Sequence, residues 1–351
     1  MAGYPAGTRL PNLLSMQSIM TKYPGSPRTI HRRTLLACAW CLALPAAAQS
    51  QPQPGSLVVV GKDHHLFASW GSSRLPDWAG IDATVARVAD VRRRLTAKGV
   101  VLVTPLLPDK MRLYQDQLPD GMAWSPEMKE RYARILEKLQ TAGIPTFDDD
   151  AILQALLKSG QAVYYRTDQH WTQAAADATA QATADLIRSL VPQLRGEPGS
   201  GTPLGTLSNE RRYGDLAERF LSPEQRKAAG REIFTARRAV ATNDLLAEAV
   251  APVHVTGNSM VQPYLGFPQK LSNLLDRPVS VNWKFGDVGF WSVLMEYLES
   301  EGFRKQPPQV LVWQLFEPNF HLGPDARGLW DGPALISDAD WNRRLQAALG
   351  G

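Results

Sequence analysis

Cysteine is nearly absent from this sequence, and its two copies lie close together near the amino terminus. Cys38 and Cys41 fall within residues 34–48, a stretch without a charged side chain that follows the pair Arg32 and Arg33. A positive segment followed by a short apolar segment that ends in Ala-x-Ala is typical of a signal peptide. The sequence therefore predicts a leader over residues 1–48, a linker over residues 49–55 and export to the periplasm.

Long apolar runs are also lacking, and this bears on the other interpretations of residues 34–48. A membrane span needs about 20 apolar residues, more than this segment holds. Pro45 would break a buried helix near its end, because proline has no N–H to donate. The signal peptide is therefore the favoured interpretation. Its retention as an inner-membrane anchor stays open, as does the choice between general and twin-arginine export.

Acidic residues are missing from the predicted leader, which carries five of the 38 basic residues of the chain. The remaining 33 basic and 34 acidic residues give the exported part a net charge of about −1. Nucleic-acid binding is excluded as a function, because that class needs a basic surface. Without cysteine, the exported part also has no disulfide, no thiolate nucleophile and no cysteine-ligated metal.

Short apolar segments alternate with longer amphipathic ones after residue 56, which is typical of α/β proteins. Strands are predicted at residues 57–60, 100–106, 145–147, 253–256, 279–282 and 310–315. Helices are predicted at residues 81–98, 126–141, 151–158, 173–190 and 290–298. The valine-rich strands suit a parallel sheet that is covered on both faces. Residues 195–212 are interpreted as a loop that precedes a helical excursion through residue 247.

The predicted helices carry residues that suit their ends. Ser125 and Thr172 stand where a side chain would cap the first turn. Four glycines follow helical segments, where the chain often turns into the left-handed region; they are Gly99, Gly143, Gly160 and Gly302.

The segment 164–172, Tyr-Tyr-Arg-Thr-Asp-Gln-His-Trp-Thr, places a carboxylate two residues before an imidazole. On a turn, Asp168 can accept the ring N–H of His170 and leave the other ring nitrogen as a base. Two alternatives stay open. The pair can be a capping Asp beside a packed His, or part of a metal site, although no third ligand stands nearby in the sequence.

The segment 253–260 is an apolar strand that ends in Gly-Asn-Ser. Ligands of α/β proteins bind at the carboxyl ends of strands, so Ser259 stands where a nucleophile would be presented. Gly257 allows a sharp turn, and the Ser259 N–H can contribute to an oxyanion hole. The alternative is that Ser259 caps a following helix. His254, inside the strand, is interpreted as a packed histidine.

The two segments together contain the parts of a serine-dependent catalytic site. Serine catalysis needs a base within hydrogen-bond reach of the nucleophile and an acid that orients the base. Asp168, His170 and Ser259 supply all three. Their chain order matches that of subtilisin, but a subtilisin separates its Asp and His by tens of residues, so that fold is excluded.

Several further segments, in the same order, give the chain a family resemblance. Besides the two segments above, they are Val60 to Phe67, Pro105 to Lys110 with Tyr114 and Leu118-Pro119, Tyr213 to Leu216, Asn282 to Gly289 and Pro307 to Trp313. In this order the chain resembles the alginate O-acetyltransferase family of AlgJ and AlgX. In three places it differs, with Met260 where a tyrosine is familiar, Gly-Asn-Ser in place of Gly-Thr-Ser or Gly-Asp-Ser, and Glu317-Pro318-Asn319 where an arginine is often found.

The resemblance implies a fold and roles for single residues. The fold is α/β, an SGNH-hydrolase-like three-layer sandwich with a central, mostly parallel sheet and a permuted order of catalytic blocks. It would occupy residues 56–325, followed by a C-terminal tail at 326–351. The family's catalytic residues fall on Asp168, His170 and Ser259. Gly289 or Gly286 is the candidate for a further oxyanion N–H, whereas Lys110 and Gly61 would shape the fold.

The function that the resemblance implies is O-acetylation of an exopolysaccharide, alginate-like or cellulose-like, through an acyl-serine. The acetyl donor would be a membrane-bound acyltransferase, with other exopolysaccharide-complex proteins as partners and no metal or soluble cofactor. An esterase that uses the same residues is one alternative, and a non-catalytic polysaccharide-binding scaffold is another. Four tryptophans are candidates either for sugar stacking or for the core; they are Trp171, Trp283, Trp291 and Trp313.

Overall fold

The computed structural model describes residues 57–69, 75–238 and 251–350, and all of them fall in one compact unit, Gln51–Gly351. The predicted leader and linker lie outside the described residues. None of the helices within the described ranges is long and apolar enough to span a membrane.

The strands and helices follow one another in an alternating α/β order. The strands are β1 Val58–Val60, β2 Leu66–Ala68, β3 Val101–Val103, β4 Leu106–Leu107, β5 Leu207–Arg212, β6 Glu232–Arg237, β7 Val253–Gly257, β8 Val279–Trp283, β9 Val310–Trp313 and β10 Leu315–Phe316. The helices are α1 Trp78–Ala97, α2 Lys110–Leu113, α3 Pro126–Thr141, α4 Asp149–Lys158, α5 Gln173–Leu190, α6 Asp215–Phe220, α7 Pro223–Ala229, α8 Phe267–Leu275, α9 Gly289–Leu298, α10 Glu301–Lys305 and α11 Asp338–Leu349.

The central sheet has the strand order β3-β9-β7-β8, and all of its pairs are parallel. Val312 of β9 pairs with Val103 on one side and with Val255 on the other. One face of the sheet packs against α1, α3, α9 and α11, and the other packs against α4, α5 and α8. The predicted α/β architecture with helices on both faces of a mostly parallel sheet is therefore confirmed.

The helix ends largely follow the sequence. Ser125 accepts a hydrogen bond from the Met128 N–H, and Thr172 accepts one from the Ala175 N–H, as expected of N-caps. Three of the four glycines predicted to end helices adopt positive φ angles; they are Gly99, Gly143 and Gly160. Gly302 does not end a helix. It lies inside α10, which begins at a separate serine cap, Ser300.

Three predicted elements differ in the structure. Residues 58–60 pair antiparallel with β2 and not within the central sheet. Residues 145–147 are not a strand, although the Thr104 N–H donates to the Pro145 carbonyl, because proline has no N–H to continue a ladder. The segment predicted as a loop at 195–212 ends in β5, which forms a hairpin with β6 around α6 and α7.

The segment at 326–350 packs into the same core as α1 and α9. Trp341 of α11 contacts Trp291 of α9 edge to face, with ring centroids 5.1 Å apart. Trp330, Leu345 and Leu349 are also buried in this cluster. The described residues that follow the expected domain end at 325 are therefore packed structure.

A buried ion network joins α3 to the edge of the sheet. Arg131 donates to Glu317 at 3.0 Å and to Asp109 at 3.1 Å, and the Asp109 N–H donates to Glu317 at 2.8 Å. All three side chains are almost completely buried. Glu317, the first residue of the Glu-Pro-Asn segment noted in the sequence, is therefore a partner of Arg131. The network fixes Asp109, the N-cap of α2, on which Lys110 is the first residue.

Replacing Arg131 with Met should lower the free energy of unfolding by about 3–5 kcal/mol, because two buried carboxylates lose their counter-charge. Denaturant unfolding of Arg131→Met measures this. Lys129→Met, at an exposed position of the same helix, is the control and should change stability by less than about 0.5 kcal/mol. Equal stability of the two variants would contradict the importance of the network.

Candidate active site

Ser259 lies immediately after β7, an inner strand of the sheet. A side chain on Gly257 would come within 3.1–3.2 Å of the Gln314 and Val261 side chains, so the close packing at this strand end favours glycine. Asn258 accepts a hydrogen bond from the Met260 N–H at 2.9 Å and caps the short turn Ser259–Val261. The capping role considered for Ser259 thus belongs to Asn258, which leaves the serine hydroxyl for another partner.

That partner is His170. Its Nε2 lies 2.9 Å from the Ser259 Oγ, and its Nδ1 lies 2.6 Å from an Asp168 carboxylate oxygen. An ionised carboxylate can only accept, so Nδ1 carries the proton and Nε2 is left as acceptor for the serine hydroxyl. The fold therefore brings together the three residues predicted from two segments about 90 positions apart.

A buried lysine holds the turn that carries Asp168 and His170. The Lys110 ammonium donates to the carbonyls of Leu66, Tyr165, Arg166 and Asp168 at 2.6–2.9 Å. Its side chain is 5% exposed. Burial lowers the pKa of Lys110 to about 8, and the nearby carboxylate of Asp168 opposes that shift. The expectation that Lys110 shapes the fold is consistent with these contacts.

The hairpin β5–β6 holds the other side of the same turn. Glu232 of β6 accepts hydrogen bonds from the N–H groups of Arg166 and Thr167 at 2.8 and 2.7 Å, and also from the Thr167 hydroxyl. Gly214 approaches so closely that a side chain there would lie 2.3 Å from the Thr167 backbone. The turn therefore has its carbonyls bound from one side and its N–H groups from the other.

Asp215, the first residue of α6, is a second carboxylate beside the imidazole. Its N–H donates to Asp168 at 2.9 Å, and one carboxylate oxygen accepts the Gln169 N–H at 2.9 Å. The other carboxylate oxygen lies 3.7 Å from the His170 Nδ1. The segment 213–216 was identified from the sequence, but no role was predicted for Asp215. Asp215 and His170 are 45 positions apart, so their proximity cannot be inferred from the sequence alone.

The same geometry bears on metal binding. Asp168, His170 and Asp215 each offer a donor atom, and these atoms lie within 4.8 Å of one another. The sequence indicated no third ligand near the Asp-x-His pair, and the fold supplies one. In this arrangement both Asp168 oxygens already accept N–H groups, and His170 engages Ser259. The expectation of no metal therefore stays a prediction.

The charges of the site favour a basic imidazole. Burial opposes ionisation of Asp168, but hydrogen bonds and charge from His170 hold the pKa of Asp168 well below its usual range. Burial likewise opposes a charged imidazole, yet Asp168 and then Asp215 raise the pKa of His170. Burial, followed by the charge of Asp168, raises the pKa of Asp215 to about 6.

Polar and aromatic side chains surround the exposed side of the site. The Arg212 guanidinium lies 3.9 Å from Asp168 and stacks on Phe234 at 3.7 Å. Tyr264, which is 45% exposed, lies near enough to Asp168, Arg212 and Asp215 for their charges to act on its hydroxyl. Among the four candidate tryptophans, three are fully buried and belong to the core; they are Trp171, Trp291 and Trp313. Trp283 is half-buried and pairs with Gly257 at the end of β8.

The two candidate oxyanion glycines lie in the segment after β8. The Gly289 N–H donates to the Gly286 carbonyl at 3.3 Å, and Gly289 has a φ of +74°. A side chain on Gly289 would come within 2.9 Å of the Trp330 ring, so packing alone accounts for this glycine. A contribution of Gly289 or Gly286 to an oxyanion hole remains a prediction.

Comparison with known proteins shows one consistent family. The family model described as the SGNH hydrolase-like domain of acetyltransferase AlgX matches residues 58–317. The chain is 29% identical to the probable alginate O-acetylase AlgJ of Pseudomonas aeruginosa over 315 residues, covering 85% of this chain and 76% of that protein.

Two solved structures share the fold. The O-acetyltransferase domain of Pseudomonas putida AlgJ is 24% identical and superposes with a TM-score of 0.67 over 83% of this chain and 99% of that domain. Pseudomonas aeruginosa AlgX is 20% identical, with a TM-score of 0.61 over 84% of this chain and 68% of its own. The predicted SGNH-hydrolase-like fold is thereby confirmed.

The raised pKa of His170 predicts a pH dependence. The serine can be activated only while the imidazole is neutral, so acyl-serine formation should fall as the pH decreases, with a midpoint above 6.5. Asp168→Asn removes the main cause of the raised pKa, so it should move the midpoint down and lower the rate at least about 100-fold. A stopped-flow assay with a small acetyl ester measures both. A rate that is flat from about pH 5 to 8 would contradict this role of His170.

Replacing Lys110 with Met should release the turn at 165–168, because four carbonyls lose their shared donor. We expect stability to fall by about 3 kcal/mol and acyl-serine formation to fall more than about tenfold. Thermal unfolding and the same ester assay measure the two effects. Lys62→Met, at an exposed lysine paired with Asp120, is the control. If Lys110→Met matches this control in stability and in rate, Lys110 does not stabilise the turn at 165–168.

Proposed function

This chain belongs to the family of the SGNH hydrolase-like acetyltransferase domain of AlgX, and from that premise we propose that it moves an acetyl group onto hydroxyls of an exported acidic polysaccharide through an acyl-serine. The observation that carries the proposal is the hydrogen-bonded series from Asp168 through His170 to Ser259. Family membership supports the transfer of an acetyl group, and the geometry of these three residues supports an acyl-serine intermediate.

In the first step, Ser259 takes the acetyl group from its donor. The His170 Nε2 accepts the serine proton while the Oγ attacks the acetyl carbonyl. The imidazolium then gives the proton to the leaving group as the tetrahedral intermediate collapses. Asp168 keeps the Nδ1 proton in place and stabilises the positive ring, so the neutral base regenerates in the orientation that the next step requires.

In the second step, a sugar hydroxyl replaces the leaving group. Its proton passes to the His170 Nε2 while its oxygen attacks the acetyl-serine, and His170 then returns the proton to the Ser259 Oγ. The exposed Tyr264 and the nearby Arg212 offer a polar surface beside the nucleophile. A guanidinium there suits the carboxylate of a uronic acid, which agrees with the names of relatives that act on alginate.

The cellular setting belongs to the same proposal. The predicted signal peptide at residues 1–48 supports a periplasmic location. Since acetyl-CoA is a cytoplasmic donor, a membrane-bound acyltransferase is proposed to supply the acetyl group. Other components of an exopolysaccharide export complex are proposed as partners, since AlgX relatives are alginate biosynthesis proteins.

The test is a transfer assay with the purified chain, a soluble acetyl ester and a short oligouronate. We expect acetylated oligouronate from the wild-type protein and less than about one-thousandth of that rate from Ser259→Ala or His170→Ala. Unfolding temperatures of both variants should match the wild type. Ser189→Ala, at an exposed serine of α5, is the matched control and should retain full transfer.

Three other outcomes would overturn the proposal in different ways. Acetate release without any acetylated sugar indicates an esterase. Binding of the oligouronate without any acetyl chemistry indicates a scaffold that retains the fold. Equal transfer by the Ser259→Ala and wild-type proteins places the active site elsewhere.

A further inference from the structure

We propose that Asp215 is a positioning residue for this transfer, forming with Asp168 a pair of carboxylates that holds the charged His170 imidazole while the acyl-serine forms and breaks down. This inference rests on the proposed function of Ser259 and His170. It concerns a residue that lies outside the predicted catalytic set.

The first support is geometry. The His170 Nδ1 lies 2.6 Å from Asp168 and 3.7 Å from Asp215, so the same ring nitrogen faces two carboxylates. The closer one accepts a hydrogen bond from this nitrogen, and the farther one is within the range where an opposite charge stabilises an imidazolium.

The second support is that Asp215 is held in place. Its N–H donates to Asp168, and one of its oxygens accepts the Gln169 N–H. It begins α6, whose start is locked against the turn by the close approach of Gly214 to Thr167. The oxygen that faces the imidazole therefore has a fixed position.

The third support is charge balance. The groups that surround the two carboxylates, Asp168 and Asp215, are His170 on the turn, Lys110 on α2, Arg212 on β5 and the Tyr264 hydroxyl after β7. Lys110 and Arg212 are the two cations among them. They offset the two carboxylates, so both carboxylates can be ionised when His170 takes the serine proton. The Asp215 side chain is 22% exposed, against 2% for Asp168, and solvent reaches only the former.

A purely structural role would need only the hydrogen bond from Gln169. Asp215→Asn separates the two roles, because the amide oxygen can still accept that N–H while the negative charge is removed. The control is Glu218→Gln, which removes an exposed charge from the same helix.

The first readout is independent of activity. NMR titration of the His170 ring in the full chain should show a pKa about 0.5–1 unit lower in Asp215→Asn than in the wild type, because the carboxylate that favours the charged ring is gone. Glu218→Gln should leave it unchanged. An unchanged His170 pKa in Asp215→Asn would overturn the proposal, whatever the enzyme's activity.

The second readout is acyl-serine formation from a small acetyl ester. Asp215→Asn should lower the rate at alkaline pH about tenfold and move the acid midpoint down by the same shift that NMR reports. In an Asp168→Asn background, adding Asp215→Asn should cost at least another tenfold, since Asp215 is then the remaining carboxylate beside the ring. No further loss in the double variant would contradict the proposal.

If the wild-type chain forms no acyl-serine, the proposed function fails, and the NMR titration still decides the role of Asp215.

Discussion

Lys110 places a positive charge in the protein interior, where four backbone carbonyls surround it. One carbonyl belongs to β2 and three to the turn between Tyr165 and Asp168. Because a buried ammonium must satisfy its donors, this single side chain fixes the turn against the hairpin β1–β2. The orientation of His170 toward Ser259 depends on that fixed turn.

The remaining contacts of the site can be understood from this constraint. The turn has its carbonyls engaged by Lys110, so its N–H groups are left for acceptors on the opposite side, where Glu232 and Asp215 supply them. The ion network of Arg131 places Asp109 and hence α2. Fewer contacts are needed to position Ser259, because it follows the end of an inner strand of the sheet. Asn258 caps the turn that contains it.

The sequence predicted the parts of the site whose signal is local. Asp168 and His170 are two residues apart, and Ser259 ends an apolar strand, so each half is visible in a short segment. Five of the helices that cover the sheet were predicted from the sequence pattern, whereas α8 and α11 were not. Ser125 and Thr172 were predicted as caps from the residues that helix N-termini prefer. The contact between the two segments was predicted from chemistry, because a serine nucleophile is activated only by a base within hydrogen-bond distance.

What the sequence could not predict depends on contacts between distant residues. Glu232 lies in a strand of mixed charged and apolar residues that carries no clear alternation, so the hairpin β5–β6 was interpreted as loop and helix. Asp215 reaches His170 only because that hairpin folds over the turn. Arg131 and Glu317 are 186 positions apart, so their buried ion pair could not be predicted from either segment alone.

The central claim is that the Ser259 hydroxyl is the atom that receives the acetyl group. Intact-protein mass spectrometry after brief exposure to an acetyl ester, followed by peptide mapping, tests it most directly. The account predicts one acetyl group per chain, located on the peptide that contains Ser259 and lost on addition of an oligouronate. An acetyl group of the same stoichiometry on another peptide, or in the Ser259→Ala protein, would contradict it.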